Sequence, residues 1–238
     1  MSERTPTSDR PLGKPVAWSP VPAPSGEPLR GDHVLLRPLD PDADAEQLYP
    51  ISHAPTGDES IWIYKTDGPY DSAEHLRRTL AQAARSADHA YYAVEPLGLG
   101  RPLGQASYLG IEPGRGTIEI GHIWFGPGLR RTTAATEAIY LLARHAFDDL
   151  GYRRLEWSCN ALNEASRRAA ERFGFRFEGI LRNHQVVKGR NRDTAWFAII
   201  DADWPPVRAA FEAWLAPENF DAEGAQKRPL EDFMPARG

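Results

Sequence analysis

An α/β fold is predicted for this 238-residue chain, with one mixed, mostly antiparallel sheet of about seven strands and helices on both faces. Three observations lead there. The apolar period switches between two and 3.6 residues, giving the order β, α, α, β, β, β, α, β, α, β, β, α. Three of the strands follow one another directly, as an antiparallel meander requires. The regular βαβα alternation of a doubly wound sheet is missing.

The elements can be justified in turn. Val34, Leu35 and Leu36 mark a strand over His33 to Arg37, and residues 40–52 are weakly helical. Asp71-Ser72-Ala73-Glu74 resembles a capping box, and Leu76, Leu80 and Ala83 share one helical face behind it. Strands are expected at Tyr91 to Glu95, Gly104 to Ile111 and Thr117 to Phe125, with Gly, Pro and Arg at 96–102 and 112–116 between them. A long helix is expected from about 134 to 150, with Gly151 as its C′ residue. Leu155, Trp157 and Cys159 alternate as a strand, and Asn163 can cap a helix that ends at Gly174 and carries a Glu164–Arg168 pair. Strands at about 175–187 and 193–200 flank the turn 188–191. The last helix is expected to be capped by Asp203, with Pro205 and Pro206 in its first turn.

Composition narrows the class. Hydrophobic residues make up 41% and charged residues 26%, which suits a single domain with a real core. The net charge of -5 argues against nucleic-acid binding, which needs a basic face. One cysteine permits no intrachain disulfide, and Cys159 reads as a small buried core residue. No apolar run approaches the ~20 residues that span a bilayer. The expectation is a soluble cytoplasmic protein without a membrane segment. Residues 1–32 are Pro-rich and read as a flexible arm, on which Val16, Ala17 and Trp18 can dock locally. Residues 33–216 form the expected domain, and 217–238 read as a tail.

The sharpest feature is the strand-to-helix junction at 119–138. Its turn, Arg130-Arg131-Thr132-Thr133-Ala134-Ala135, leads straight into the long helix. The first turn of a helix offers free N–H groups and a positive dipole end. Two arginines and three hydroxyls beside it suit a phosphate or pyrophosphate. The pattern is neither a Walker A loop nor Gly-x-Gly-x-x-Gly.

This segment resembles the coenzyme A loop of the GNAT acyltransferase superfamily, whose pattern is Gln/Arg-x-x-Gly-x-Gly/Ala. Arg130 opens it, Thr133 stands where glycine is usual, and Ala135 closes it. Thr136-Glu137-Ala138, Leu162-Asn163-Glu164-Ala165-Ser166 and Phe173-Gly174-Phe175-Arg176-Phe177-Glu178-Gly179 are typical of its RimJ/RimL-like group. The ending from Arg192-Asp193-Thr194 to Asp203-Trp204-Pro205 fits a branch of it, so the resemblance spans about 33–215.

The resemblance implies a sheet splayed between its fourth and fifth strands, with the thioester of acetyl-CoA in the gap. Arg130, Arg131, Thr132, Thr133, Ala134, Ala135, Thr136, Asn163 and Arg168 would contact the coenzyme. A backbone N–H at Ile123, Trp124 or Phe125 would polarise the acyl carbonyl. Ser166 is the expected donor to the departing thiolate, although as the third residue of its helix it has a structural role too. The base is open among Glu119, His122, His184 and Asp193, because the position where some relatives carry Glu holds Gln185. Glu119, acting through water, is the favoured reading. Glu119 and His122 are expected on opposite faces of their strand, given their odd spacing. Trp62, Tyr64, Tyr70, His184 and Asp193 are the expected acceptor-side residues.

The implied activity is acetyl transfer from acetyl-CoA to a primary amine, on a small molecule or a protein N-terminus, with no metal. A non-catalytic acyl-CoA sensor with the same fold is the alternative, motivated by Thr133 and Gln185. A purely structural protein is the third, and a homodimer is compatible with any of them.

Overall fold

The computed structural model describes residues 11–86 and 88–236. The first ten residues of the expected arm therefore lie outside the described residues. One eight-stranded sheet runs through the molecule in the order β1-β2-β3-β4-β5-β6-β8-β7. Its strands are β1 (Leu29–Arg30), β2 (Val34–Pro38), β3 (Ala90–Pro96), β4 (Gly104–Glu112), β5 (Thr117–Phe125), β6 (Arg154–Asn160), β7 (Arg176–Val187) and β8 (Arg190–Ile200). Every pairing is antiparallel except β5 with β6. The extra strand relative to the expected seven is β1, a two-residue piece whose Leu29 is buried. Such a short pairing has no sequence period to announce it.

The helices are α1 (Pro41–Ser52), α2 (Ala73–Ala84), α3 (Thr133–Arg144), α4 (Glu164–Arg172) and α5 (Trp204–Leu215). Helices α1 and α2 cover one face of the sheet with a cluster built on Leu48, Trp62, Tyr70, Leu76, Leu80 and Trp124. The larger core on the other face holds α3, α4 and α5 against residues such as Tyr92, Tyr108, Ile120, Leu155 and Phe197. Strand alternation divides the two cores, since Tyr92 and Val94 point to one and Ala93 to the other.

Two local expectations shift. The cap of α2 is Ser72, whose hydroxyl accepts from the His75 amide at 3.1 Å. Asp71 is therefore not the cap, and Glu74 pairs with Arg77 at 2.6 Å instead of reaching back to the helix start. Helix α3 ends as an α-helix at Arg144 and continues as a wider turn over His145–Asp149 before Gly151 at φ 80°. Asp203 does precede α5, but its carboxylate pairs with Arg176 at 3.1 Å and makes no side-chain cap bond.

Both flanks of the domain touch it. The Trp18 indole donates to the Gly114 carbonyl at 2.9 Å, with the Arg153 guanidinium 5.9 Å from its ring centre. Beyond α5, Leu230 is fully buried, and Phe220, Phe233 and Met234 pack on the larger core.

Candidate active site

The sheet opens at its one parallel junction. Strands β5 and β6 pair only at Thr117–Arg154, Ile118–Leu155 and Glu119–Glu156, and no pairing continues past Glu119. Beyond that point β5 turns away through a bulge. Gln105 opposes Trp124 and Ser107 opposes Gly121, so β5 carries one residue more than β4 in that interval. His122 absorbs it in the left-handed region, at φ 49°. The opening between the strands holds a cavity of about 330 Å³.

The bulge corrects one expectation. Glu119 and His122 both line the cavity, because the extra residue resets the alternation that would put them on opposite faces. Glu119 is only 8% exposed, and its Oε1 accepts from the Ser158 amide at 3.1 Å and the Ser158 hydroxyl at 2.7 Å. Burial raises its carboxyl pKa, and these two bonds oppose the rise. Burial pushes the His122 imidazole down to about 4, helped by the charge of Lys65, so its ring is neutral at pH 7. The His122 ring rests against Tyr91, centroids 5.4 Å apart.

Helix α4 brings Ser166 to the opposite wall. Asn163 caps the helix, its side-chain oxygen accepting from the Ser166 amide at 3.1 Å. The Ser166 hydroxyl in turn accepts from the Trp157 indole at 3.0 Å. An accepted bond from Trp157 leaves the hydroxyl proton for another acceptor. Cys159 beside it is buried, and burial holds its thiol above the ordinary range, so it is protonated and a poor nucleophile.

At the far end of the β5 turn, Thr132 caps α3, its hydroxyl accepting from the Ala135 amide at 3.2 Å. The amides of Thr133 and Ala134 have no acceptor within the helix. Arg131 sits just before them at φ 63°, exposed. Thr133 itself is in regular helix, so its place demands no glycine conformation. Arg130 is engaged within the chain: its guanidinium donates to the Phe125 carbonyl at 2.7 Å and pairs with Asp58. The Thr136 hydroxyl, the next one along α3, accepts from Arg172 at 3.1 Å.

Of the expected acceptor-side residues, Tyr64 and His184 line the cavity and three others do not. Trp62 is 2% exposed and donates to the Ser52 carbonyl at 2.8 Å, so it is core. Tyr70 is also buried and donates to Asp67. Asp193 holds the β7 bulge, accepting from the Asn183 amide at 2.7 Å and the Asn191 side chain at 2.9 Å, which lowers its pKa. Among the coenzyme-side residues, Ile123 faces the cavity while the Trp124 side chain points into the opposite core. Arg168 points outward to Glu164 at 3.1 Å.

Two basic residues on the cavity were missed from the sequence. Lys65, between Tyr64 and Thr66, reaches to 3.4 Å from the Ile123 carbonyl, and burial pushes its ammonium down to about 8. Arg192 enters from β8, and its Nε is buried without a hydrogen-bond acceptor. Their only signal in the sequence was a charge inside a strand or an aromatic loop.

No group of three or more His, Cys, Asp or Glu among the described residues is placed to hold a metal ion. None of the described helices is long and apolar enough to cross a membrane. The family model described as "Acetyltransferase (GNAT) domain" matches residues 33–176. A protein of Bacillus subtilis (strain 168) named "Putative ribosomal N-acetyltransferase YdaF" is 27% identical over 176 residues, covering 73% of this chain and 94% of that protein. The crystal structure of a GCN5-related N-acetyltransferase from Brucella melitensis is 44% identical, with a TM-score of 0.88, over 91% of this chain and 98% of that one. A GNAT-family structure from Chromobacterium violaceum ATCC 12472 is 39% identical, with a TM-score of 0.76, over 84% of this chain and 99% of that one. The family match covers more than half of the chain and these structures share its fold, so this chain belongs to the GNAT acetyltransferases.

Proposed function

We propose that the protein transfers an acetyl group from acetyl-CoA to a primary amine, on a small molecule or at a protein N-terminus. The observation that carries this reading is the coincidence of the β5–β6 opening with an oriented hydroxyl: the cavity that fills the gap has Ser166, held by Trp157, on its wall. Acetyl-CoA, when bound, supplies a thioester carbonyl open to attack by the amine. Its diphosphate suits the free amides of Thr133 and Ala134 at the front of α3, with Arg131 beside them. Asn163 keeps its amide nitrogen for the pantetheine arm after its oxygen has capped α4. Arg130 braces the loop against Asp58, which makes its contribution one of positioning.

The remaining steps belong to backbone and side-chain groups of this chain. The β5 bulge takes the backbone around Ile123 out of the β4 ladder on the side where β6 has already left, so its N–H can polarise the acyl oxygen. Ser166 delivers a proton to the departing sulfur. Glu119, with its pKa raised by burial, takes the proton that the attacking amine sheds, through water. The name of the Bacillus subtilis relative, a putative ribosomal N-acetyltransferase, keeps a ribosomal acceptor in the panel.

Thiol release from acetyl-CoA, measured with a panel of amines and peptides, tests the reading. Wild-type protein should turn over at least one acceptor. Ser166→Ala should lose kcat about 100-fold while coenzyme A binding, measured by calorimetry, stays close to wild type. Tight coenzyme binding with no turnover on any amine would sink it.

A further inference from the structure

The acceptor end of the cavity is cationic in a chain whose net charge is -5. Lys65 stands on the loop before α2, close enough to Arg192 and Lys188 for both to repel its charge, while Asp67 attracts it. Of the two nearby carboxylates, Glu119 lines the cavity and Asp67 does not. One Asp67 oxygen accepts from the Tyr70 hydroxyl, and one Glu119 oxygen accepts twice from Ser158. Lys188 is satisfied by two carbonyls, at Trp62 and Asp67, 2.8 and 3.0 Å away. Arg192 is not satisfied. Its guanidinium lines the cavity half-buried, and its Nε finds no acceptor in the protein. A desolvated guanidinium with an unused donor, beside a lysine, is a carboxylate site in search of its anion. A polyamine or an aminoglycoside would bring further positive charge against these groups.

Resting on the acetyltransferase reading above, we propose that the accepted amine carries a carboxylate within a few bonds of its nitrogen, and that Arg192 and Lys65 bind this carboxylate while the amine faces Glu119. Free amino acids and peptides that begin with an acidic stretch have this chemistry. Diamines do not. The arrangement has a second effect. Charge pairing is satisfied by the carboxylate, so the neighbouring cations also favour the neutral, nucleophilic form of the amine.

Matched acceptors test this directly. Glycine is compared with glycinamide, the amidated peptide Asp-Ser with amidated Asn-Ser, and all of them with 1,4-diaminobutane, in the thiol-release assay on the full chain. The carboxylate member of a pair should show a kcat/KM roughly tenfold or more above its partner. Arg192→Gln should collapse that ratio toward one, mainly through KM. Arg192→Lys should restore part of it, and Lys65→Met should reduce it. Calorimetry gives a readout independent of turnover: N-acetylglycine, with coenzyme A present, should bind wild type about tenfold more tightly than Arg192→Gln. If thiol is released but glycinamide or the diamine is preferred, or if the wild-type ratio is already one, this inference fails and the acetyltransferase reading stands. If no amine is turned over at all, both fail.

Discussion

His122 shows how one residue can couple the site to stability. Its left-handed backbone, at φ 49°, makes the β5 bulge, and the same position buries its ring beside Lys65. Its pKa in the folded chain is lowered from 6.5 to about 4. Between those values the unfolded chain binds a proton that the folded chain does not, so stability falls as pH drops from 6.5 toward 4. The buried His53 shifts in the same direction, whereas the raised Glu119 has the opposite sign, since its folded form holds a proton longer. Asn tolerates the left-handed region and does not titrate. His122→Asn should therefore flatten the loss of the urea midpoint between pH 7 and pH 4.5. An unchanged slope would show that other groups carry it.

The element that ties the molecule together is α3. Residues Ala134 through Ala143 are all buried, so the helix is enclosed on every side. That enclosure includes a carboxylate. Glu137, 4% exposed, accepts from the amides of Asp32, His33 and Val34 at 2.9, 2.7 and 3.0 Å. It closes the turn between β1 and β2 onto the helix. Gly31 is required there, because a Cβ at that position would lie 2.3 Å from the Glu137 carboxyl carbon. Glu137→Gln keeps the shape but turns a donor toward amides that need acceptors. It should cost about 1–3 kcal/mol, read as a lower urea midpoint with an unchanged slope. The sequence showed Glu137 only as part of a Thr-Glu-Ala motif after the loop. The three hydrogen bonds it accepts from a turn more than a hundred residues earlier have no local signature.

At the scale of the whole molecule, the β7–β8 hairpin arches over the cavity and fastens on its far rim. Lys188, at the hairpin tip, donates to the carbonyls of Trp62 and Asp67, more than 120 residues back. The cavity thus has walls from two segments far apart in the sequence. Lys188→Ala should raise the KM for the acceptor by about 5- to 10-fold, the loss of one or two charge-assisted bonds, and leave coenzyme A affinity unchanged. A coenzyme affinity that falls equally would place the hairpin on the coenzyme instead. What the sequence by itself determined is what neighbouring residues control. The element order followed from apolar periods, the cap at Asn163 from a side chain three residues from its partner, and the turn that leads straight into α3 from the residues that form it. The tertiary structure alone decided which candidates meet. The bulge at His122, the removal of Trp62, Tyr70 and the Trp124 side chain to a core, the use of Asp193 as a hairpin brace, and the gathering of Lys65 with Arg192 all depend on pairing between distant strands. A strand's register and its point of divergence are set by its partner, and no period within the strand records them.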